Sequence, residues 1–368
     1  MDNNPLAEDL DNILTHTRDL WEELRDQRIF ITGGTGFFGC WLLESFAWAN
    51  DKLNLNAEAL VLTRNYESFL KKAPHLANNP AIKFHIGDVR DFEFPDGQFP
   101  FVIHAATEAS AKLNEENPLL MWDTIIEGTR HTLDFARHAG TKKFMLTSSG
   151  AVYGKQPPEL THIPEEYTGA PDLANLNSAY GEGKRAAEML CTMYAKMYCI
   201  QSKIARCFAF VGPYLSLDIH YAIGNFIRDA LKGGPIEVKG DGTPYRSYLY
   251  AADLAIWLWT ILFRGESCLP YNVGSDRDVT IKQLADIVAN TFEPVRQVKI
   301  NQKHVAGEPT ERYVPSISRT SSSLGLRVHV DVEKAIKKSL IWQRKVIAIA
   351  GAKNLNNSNS SKLLSYIS

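Results

Sequence analysis

A chain of 368 residues, 45% hydrophobic and 22% charged, can bury one large core or two smaller ones and is not composed like a disordered polymer. Its formal net charge of -2 gives no general pull toward polyanions, which sets aside nucleic acid and anionic lipid as main partners. The five cysteines, Cys40, Cys191, Cys199, Cys207 and Cys268, are odd in number and lack paired ligand spacing; they are expected to be reduced, mostly buried thiols, with no metal site.

The opening stretch MDNNPLAEDLDNILTH has no basic segment leading into an apolar core. No apolar run approaches a bilayer span, so a cytoplasmic protein without a membrane partner is expected. Leu6, Leu10, Ile13, Leu14, Leu20, Trp21 and Leu24 recur at mostly three- and four-residue steps. That spacing predicts an amphipathic packing helix over residues 6–27, an N-terminal extension of the fold.

From residue 28, short apolar runs alternate with longer helical patterns. RIFITGG, ALVLTR, KFHIGD, FVIHAA, KFMLTSS and SKIARCFAFVG read as buried strands. CWLLESFAWA, EGTRHTLDFARHA and GKRAAEMLCTMYAKMY read as helices between them. This rhythm predicts an α/β protein whose Rossmann-type, doubly wound parallel sheet occupies residues 28–212, with contributions from later segments. Beyond residue 212 the alternation loosens. Residues 213–345 are therefore expected to form mainly a smaller C-terminal substrate-binding lobe, with the functional cleft between the two parts. Residues 346–368, which include AKNLNNSNSSK, read as a polar tail too poor in apolar surface to order itself.

Gly33, Gly36 and Gly39 follow the first apolar strand and open an apolar helix that begins with Phe37 and Phe38. In that context Gly33 permits a tight turn, Gly36 lets backbone approach a pyrophosphate, and Gly39 permits close helix packing; the helix N-terminus offers N–H groups to the anion. The second strand of NAD-binding folds normally ends in a carboxylate that holds the ribose hydroxyls. ALVLTRNYES supplies Thr63, Arg64 and Asn65 there instead. With no carboxylate to repel a 2′-phosphate and Arg64 able to meet it, NADP is favoured over NAD, a solvated loop arginine being the alternative. Asp88 and Val89, in HIGDVRD, end the third strand, where a carboxylate can accept from the adenine amino group or simply shape a turn.

Tyr180 and Lys184, four apart in a helical segment, share one face about one turn apart. An ammonium beside a phenol lowers the phenol's pKa and makes proton transfer accessible near neutrality. Alone, such a pair also occurs on solvated helices. Upstream, Thr147, Ser148 and Ser149 end a strand at the sheet edge where open α/β folds bind ligands. A hydroxyl there can donate to a substrate oxygen while Tyr180 exchanges a proton with it, or it can cap the strand end.

These residues resemble the extended short-chain dehydrogenase/reductase family, in its NAD-dependent epimerase/dehydratase branch acting on nucleotide sugars. The likeness runs from about residue 28 to about residue 342 and rests on TGGTGFFG, GDVRD, VIHAA, TSSGAVYG, YGEGK, RCFAFVGPY, GDGTPYRSYLYAADLA and YNVGS, in that order. It implies that Ser149 polarises the sugar oxygen, Tyr180 is the acid/base, and Lys184 binds the nicotinamide ribose and tunes Tyr180. It further implies that Asp88 contacts adenine, that Ala105 and Ala106 border the cofactor, and that Arg246 grips the diphosphate. Arg312 is a second candidate for the diphosphate, while Thr107, Glu108 and Ser148 are candidates to face the sugar. Family members are often dimers through a four-helix contact, so a homodimer is expected.

Departures narrow the reaction. Enzymes of this kind that eliminate water carry an acidic pair directly after the hydroxyl residue, where this chain has Gly150 and Ala151. A 4,6-dehydratase is therefore disfavoured, as is a decarboxylase with a Glu at the Ala151 place. Ala209 replaces the family's usual Asn near the diphosphate. The expected activity is NADPH-dependent 4-ketoreduction of an NDP-4-keto-6-deoxy sugar in surface-polysaccharide precursor synthesis. A C4 epimerase with tightly held cofactor is the alternative, and a non-catalytic cofactor sensor is opposed by the intact Ser149, Tyr180 and Lys184.

Overall fold

The computed structural model describes residues 4–107, 111–217, 222–305, 307 and 309–346. Glu108, and the polar tail beyond Val346, lie outside the described residues. The N-terminal pattern forms a shorter helix than its spacing predicts: α1 covers Ala7–Thr17 and a 3-10 turn follows over Trp21–Leu24. All seven apolar residues of the pattern are buried. The side chain of Asp9, also buried, accepts from the Tyr250 hydroxyl at 2.7 Å and from Lys338 Nζ at 2.9 Å.

The six predicted runs become β1 (Arg28–Thr32), β2 (Glu58–Thr63), β3 (Ile82–Ile86), β4 (Phe101–His104), β5 (Lys143–Ser149) and β6 (Gln201–Cys207). A seventh, β7 (Pro270–Val273), comes from YNVGS and completes the sheet at its far edge. The order is β7-β6-β5-β4-β1-β2-β3, with every pairing parallel. Between β1 and β4 the sheet changes its direction of growth. That is the switch point at which such sheets open a crevice beyond the strand ends.

Helices α2 (Phe37–Leu53), α3 (Tyr66–Lys72), α4 (Pro118–His138), α5 (Ala179–Tyr198) and α6 (Ala251–Arg264) cover the sheet. The two-residue period of β1 shows why both faces need cover: Ile29 and Ile31 enter one apolar cluster with α2 and α6, and Phe30 enters the other with α4 and α5. Every residue of α6 from Ala251 to Phe263 is buried, so this helix is a core element rather than a surface one. Among the described residues no helix is long and apolar enough to cross a membrane. Three cysteines, Cys40, Cys191 and Cys207, are buried thiols, while Cys199 is exposed and Cys268 half-buried.

A small sheet lies outside the main one. Its central strand Tyr245–Ser247 runs antiparallel to Asp278–Thr280 and parallel to Arg312–Tyr313. In this register Arg312 sits opposite Tyr245, and Tyr313 opposite Arg246, so the two consecutive residues address opposite faces.

Candidate active site

The loop from β1 to α2 is a bare backbone cradle. Gly33 has φ +71, and a Cβ there would lie 2.4 Å from the Ala105 carbonyl carbon and oxygen. Gly39 is equally constrained, because its Cβ would fall 2.3 Å from the backbone of Gly34. Gly36 caps α2 without a side chain, so the first-turn N–H groups have no side-chain acceptor. A nucleotide diphosphate fits such an end: it supplies the negative charge and the acceptors that the uncapped turn lacks. Ala105 and Ala106 wall the cradle, the Ala106 N–H being held by Thr32 Oγ1 at 3.2 Å. Phe38 packs edge-on against Phe210, with ring centres 5.0 Å apart, and Phe37 lies beside it at 5.8 Å.

Arg64 follows β2 directly, and Asn65 caps α3 by accepting from Ser68 N at 2.9 Å, so no carboxylate stands at the end of β2. Asp88 is folded back on Arg90, taking Nε at 2.8 Å and the Arg90 N–H at 3.1 Å. The bond to the Arg90 side chain holds the Asp88 carboxyl below the usual carboxylate range, and the charge of Arg64 adds to the effect. The Val89 side chain is core rather than site, since it packs where a Cβ on Gly128 would come within 2.8 Å.

The strand β5 and the helix α5 meet at the chemistry-bearing residues. Lys184 is 2% exposed, and its Nζ donates to Thr107 Oγ1 at 2.8 Å and to the Thr147 carbonyl at 2.9 Å. Among the described residues these take two of its three N–H donors, which leaves one for a ligand hydroxyl. Burial pulls the Lys184 ammonium down to about 8, against partial restoration by Cys207, Cys191 and Glu188. Tyr180 lies one turn earlier, its backbone N–H fixed by Asn114 Oδ1 at 3.1 Å. Gly181 is where α5 abuts the turn after β5: a Cβ there would be 2.8 Å from the Ala151 carbonyl oxygen.

Ser149 caps that turn by accepting from the Ala151 N–H at 3.1 Å. The capping role and the chemical role are compatible, because the cap uses an oxygen lone pair and leaves the hydroxyl proton free to be donated. Thr107 is committed differently from its expected sugar contact: its oxygen receives Lys184, and its proton goes to the Ala106 carbonyl at 2.7 Å. The Ser148 hydroxyl donates to Glu188 Oε1 at 2.5 Å, on the face of β5 opposite to Ser149.

The lobe arginines separate. Arg312 donates to Asp278 at 2.7 Å and stacks its guanidinium 3.9 Å from the centre of the Tyr245 ring. Arg246 is on the other face, with NH2 3.4 Å from Glu311. Beside Arg246 on that face is Tyr313, which sequence reasoning passed over. A Cβ on Gly150 would lie 2.7 Å from both the Tyr313 hydroxyl and Phe208 Cζ, so these two rings roof the turn that follows Ser149. Tyr313 adjoins Arg312 in ERY, but only the strand register reveals which face it takes. Another buried group passed over is His104 of VIHAA. It bridges Thr32 at 2.8 Å and Thr129 at 3.1 Å, and burial keeps it neutral by lowering it to about 3.

A glycine cradle at a sheet switch point, with a hydroxyl, a tyrosine and a buried lysine gathered two strands away at the end of β5, is an arrangement of the Rossmann class. The chain belongs to the NAD dependent epimerase/dehydratase family, whose model matches residues 29–274. It is 29% identical over 311 residues to UDP-glucuronic acid decarboxylase 6 of Arabidopsis thaliana, covering 84% of this chain and 87% of that one. It is also 28% identical over 320 residues to UDP-glucuronic acid decarboxylase 1 of Xenopus tropicalis, covering 87% and 72%. Among solved structures, UDP-glucose 4-epimerase from Thermotoga maritima with UDP-glucose superposes with a TM-score of 0.74 at 20% identity, over 87% of this chain and 100% of that one. The dTDP-glucose 4,6-dehydratase of Streptomyces venezuelae with NAD bound gives 0.71 at 23% identity, over 87% and 97%.

Proposed function

We propose that the chain reduces the keto group of an NDP-4-keto-6-deoxy sugar with NADPH, as a step in making surface-polysaccharide precursors. The observation that carries this reading is the Gly150–Ala151 turn: it follows Ser149, bears no acid, and is roofed by Phe208 and Tyr313. Hydride exchange at a carbinol carbon needs only a hydroxyl donor, a proton carrier and a fixed cation, whereas elimination needs a further acid and base. The nicotinamide supplies the hydride. Ser149 donates to the substrate oxygen, and Tyr180 passes its proton to that oxygen as it becomes an alkoxide. Lys184 stabilises the phenolate left behind. Arg64 at the end of β2 supports NADPH over NADH, and Arg246 is the group for the diphosphate.

The curated relatives favour a second reading, decarboxylation of UDP-glucuronate, and the same three residues serve a third, C4 epimerisation; in both, a bound nicotinamide is used and regenerated within one turnover. The enzyme incubated with a panel of 4-keto and intact nucleotide sugars, read by NADPH absorbance, carbon dioxide release and product NMR, separates the three. One NADPH consumed per keto sugar supports the reductase. Cofactor retained through purification with no net NADPH consumption supports the epimerase, and carbon dioxide from UDP-glucuronate supports the decarboxylase. Running NADH beside NADPH tests the cofactor assignment.

A homodimer through α4 and α5 accords with their surfaces. Met189, Met193 and Met197 form an exposed stripe at four-residue steps on α5, and Leu119 and Trp122 are exposed on α4. Light scattering of the wild type and of Met193→Glu tests it, the expected result being a dimer that the charge dissociates.

A further inference from the structure

A buried ion pair lies directly behind the reactive hydroxyls. Arg206, on β6, directs Nε and NH2 at Glu188, on α5, with distances of 3.0 and 2.7 Å. The two side chains are only 15% and 12% exposed. Glu188 Oε1 also receives the Ser148 hydroxyl. The remaining arm of Arg206 donates to the Tyr153 hydroxyl at 2.9 Å, and Tyr153 donates in turn to Asn272 on β7 at 2.8 Å. One carboxylate and one guanidinium therefore join α5, β5, β6 and β7 with the turn that follows Ser149.

Such a pair is a poor source of stability. Taking two charges out of water costs several kcal/mol per ion, and well-packed apolar residues often do as well in the same space. Its placement is more telling. Glu188 lies one helical turn beyond Lys184 and two beyond Tyr180, and Ser148 lies between Thr147 and Ser149. Helix α5 thus grips β5 at two successive residues, through Lys184 on the Thr147 carbonyl and through Glu188 on the Ser148 hydroxyl.

We propose that Glu188, with Arg206 as counter-ion, is a positioning residue: it holds β5 against α5 in the register at which Ser149 meets Tyr180 and Lys184. The inference rests on reading those three residues as the catalytic set. It also explains why Ser148, a hydroxyl one residue from Ser149, points away from the cleft. Its partner is the clamp, not the substrate.

Ser148→Ala is the discriminating variant, because it cuts the link to β5 while leaving the Glu188–Arg206 pair and every charge in place. The full-length protein with cofactor is assayed for kcat and KM, and Lys184 is titrated by NMR of protein labelled with 13C at lysine Cε, assigned with Lys184→Met. A slip in the position of a reacting group costs on the order of 100-fold. Ser148→Ala is expected to lose roughly 10- to 100-fold in kcat with KM and cofactor affinity unchanged. Its Lys184 should also titrate at lower pH, because a displaced Thr147 carbonyl supports the ammonium less, whereas an undisplaced one with Glu188 freed of its hydroxyl donor would not lower it. Glu188→Gln should show the same kcat loss with a lowered melting temperature, because Arg206 is left buried and unpaired. Wild-type kcat or an unmoved Lys184 titration in Ser148→Ala overturns the proposal. Should the wild type turn over no nucleotide sugar, the catalytic reading falls, and the Lys184 titration alone then upholds or overturns the clamp.

Discussion

Lys184 Nζ donates to the Thr147 carbonyl at 2.9 Å, so the one buried ammonium of α5 is anchored to the strand that ends in Ser149. The bond fixes a buried cation one helical turn after Tyr180 and against Thr107, the residue that follows Ala105 and Ala106 of the cradle wall. It does so at the cost of burying the charge, and the consequences of that burial can be measured.

Replacing Tyr180 by Phe removes the proton carrier and keeps the ring. Turnover should fall by about 10²- to 10⁴-fold, the usual contribution of a positioned acid or base. NADPH binding, followed by nucleotide fluorescence, should stay near the wild-type value. Full activity on the true substrate would overturn the mechanism.

Burial lowers the Lys184 pKa to about 8, so its charge is lost inside the physiological range rather than above it. Activity that needs the ammonium should fall as pH rises through about 8. Stability should move the other way. Between about 8 and the ordinary lysine value of 10.5 the unfolded chain binds more protons at this site, so the contribution of Lys184 to folding rises with pH. Kinetics and denaturant titrations across pH 7–10 check both signs, with Lys184→Met lacking the contribution.

At Gly150 even a methyl group has no room, since Phe208 and the Tyr313 hydroxyl each lie 2.7 Å from where it would stand. Gly150→Ala should destabilise by about 1–3 kcal/mol through overpacking, read as a lower midpoint in urea. Gly150→Asp should not create a dehydratase. An unchanged midpoint for Gly150→Ala would show that the two rings yield easily.

The main sheet was legible because its signals are local. Six apolar runs of strand length and a glycine cradle placed between strand and helix need no tertiary knowledge. What sequence could not reveal depends on pairing. YNVGS becomes the seventh strand only because β6 offers it an edge. Arg312 and Tyr313 are adjacent in sequence, yet the register with Tyr245 and Arg246 sends Arg312 to Asp278 and Tyr313 over Gly150. Ser148 and Ser149 are chemically alike in sequence, and strand alternation alone assigns one to Glu188 and the other to the turn. The N-terminal helix shows the opposite limit: its buried positions were readable, but its end at Thr17 was not.

The two lobe arginines should behave differently on substitution. Arg246→Ala removes the cation assigned to the diphosphate and should weaken binding of a UDP-sugar by roughly 10- to 100-fold, the worth of a charged hydrogen bond. Arg312→Ala breaks the bond to Asp278 and the stack on Tyr245, so its cost should appear mainly in thermal stability. Calorimetric titration beside thermal melts separates the two, and equal losses of affinity would place both guanidinia on the ligand.

Asp9 meets partners far along the chain: Tyr250 follows it by 241 positions and Lys338 by 329. Helix α1 packs on α2, close to it in sequence, and on α6, far from it, so part of its apolar stripe is covered only when α6 is in place. Long-range closure of this kind is slow and leaves apolar surface open to aggregation in the interval. The α1–α6 contact is such a non-local closure, and a chain that has yet to make it is the state most in need of a chaperone.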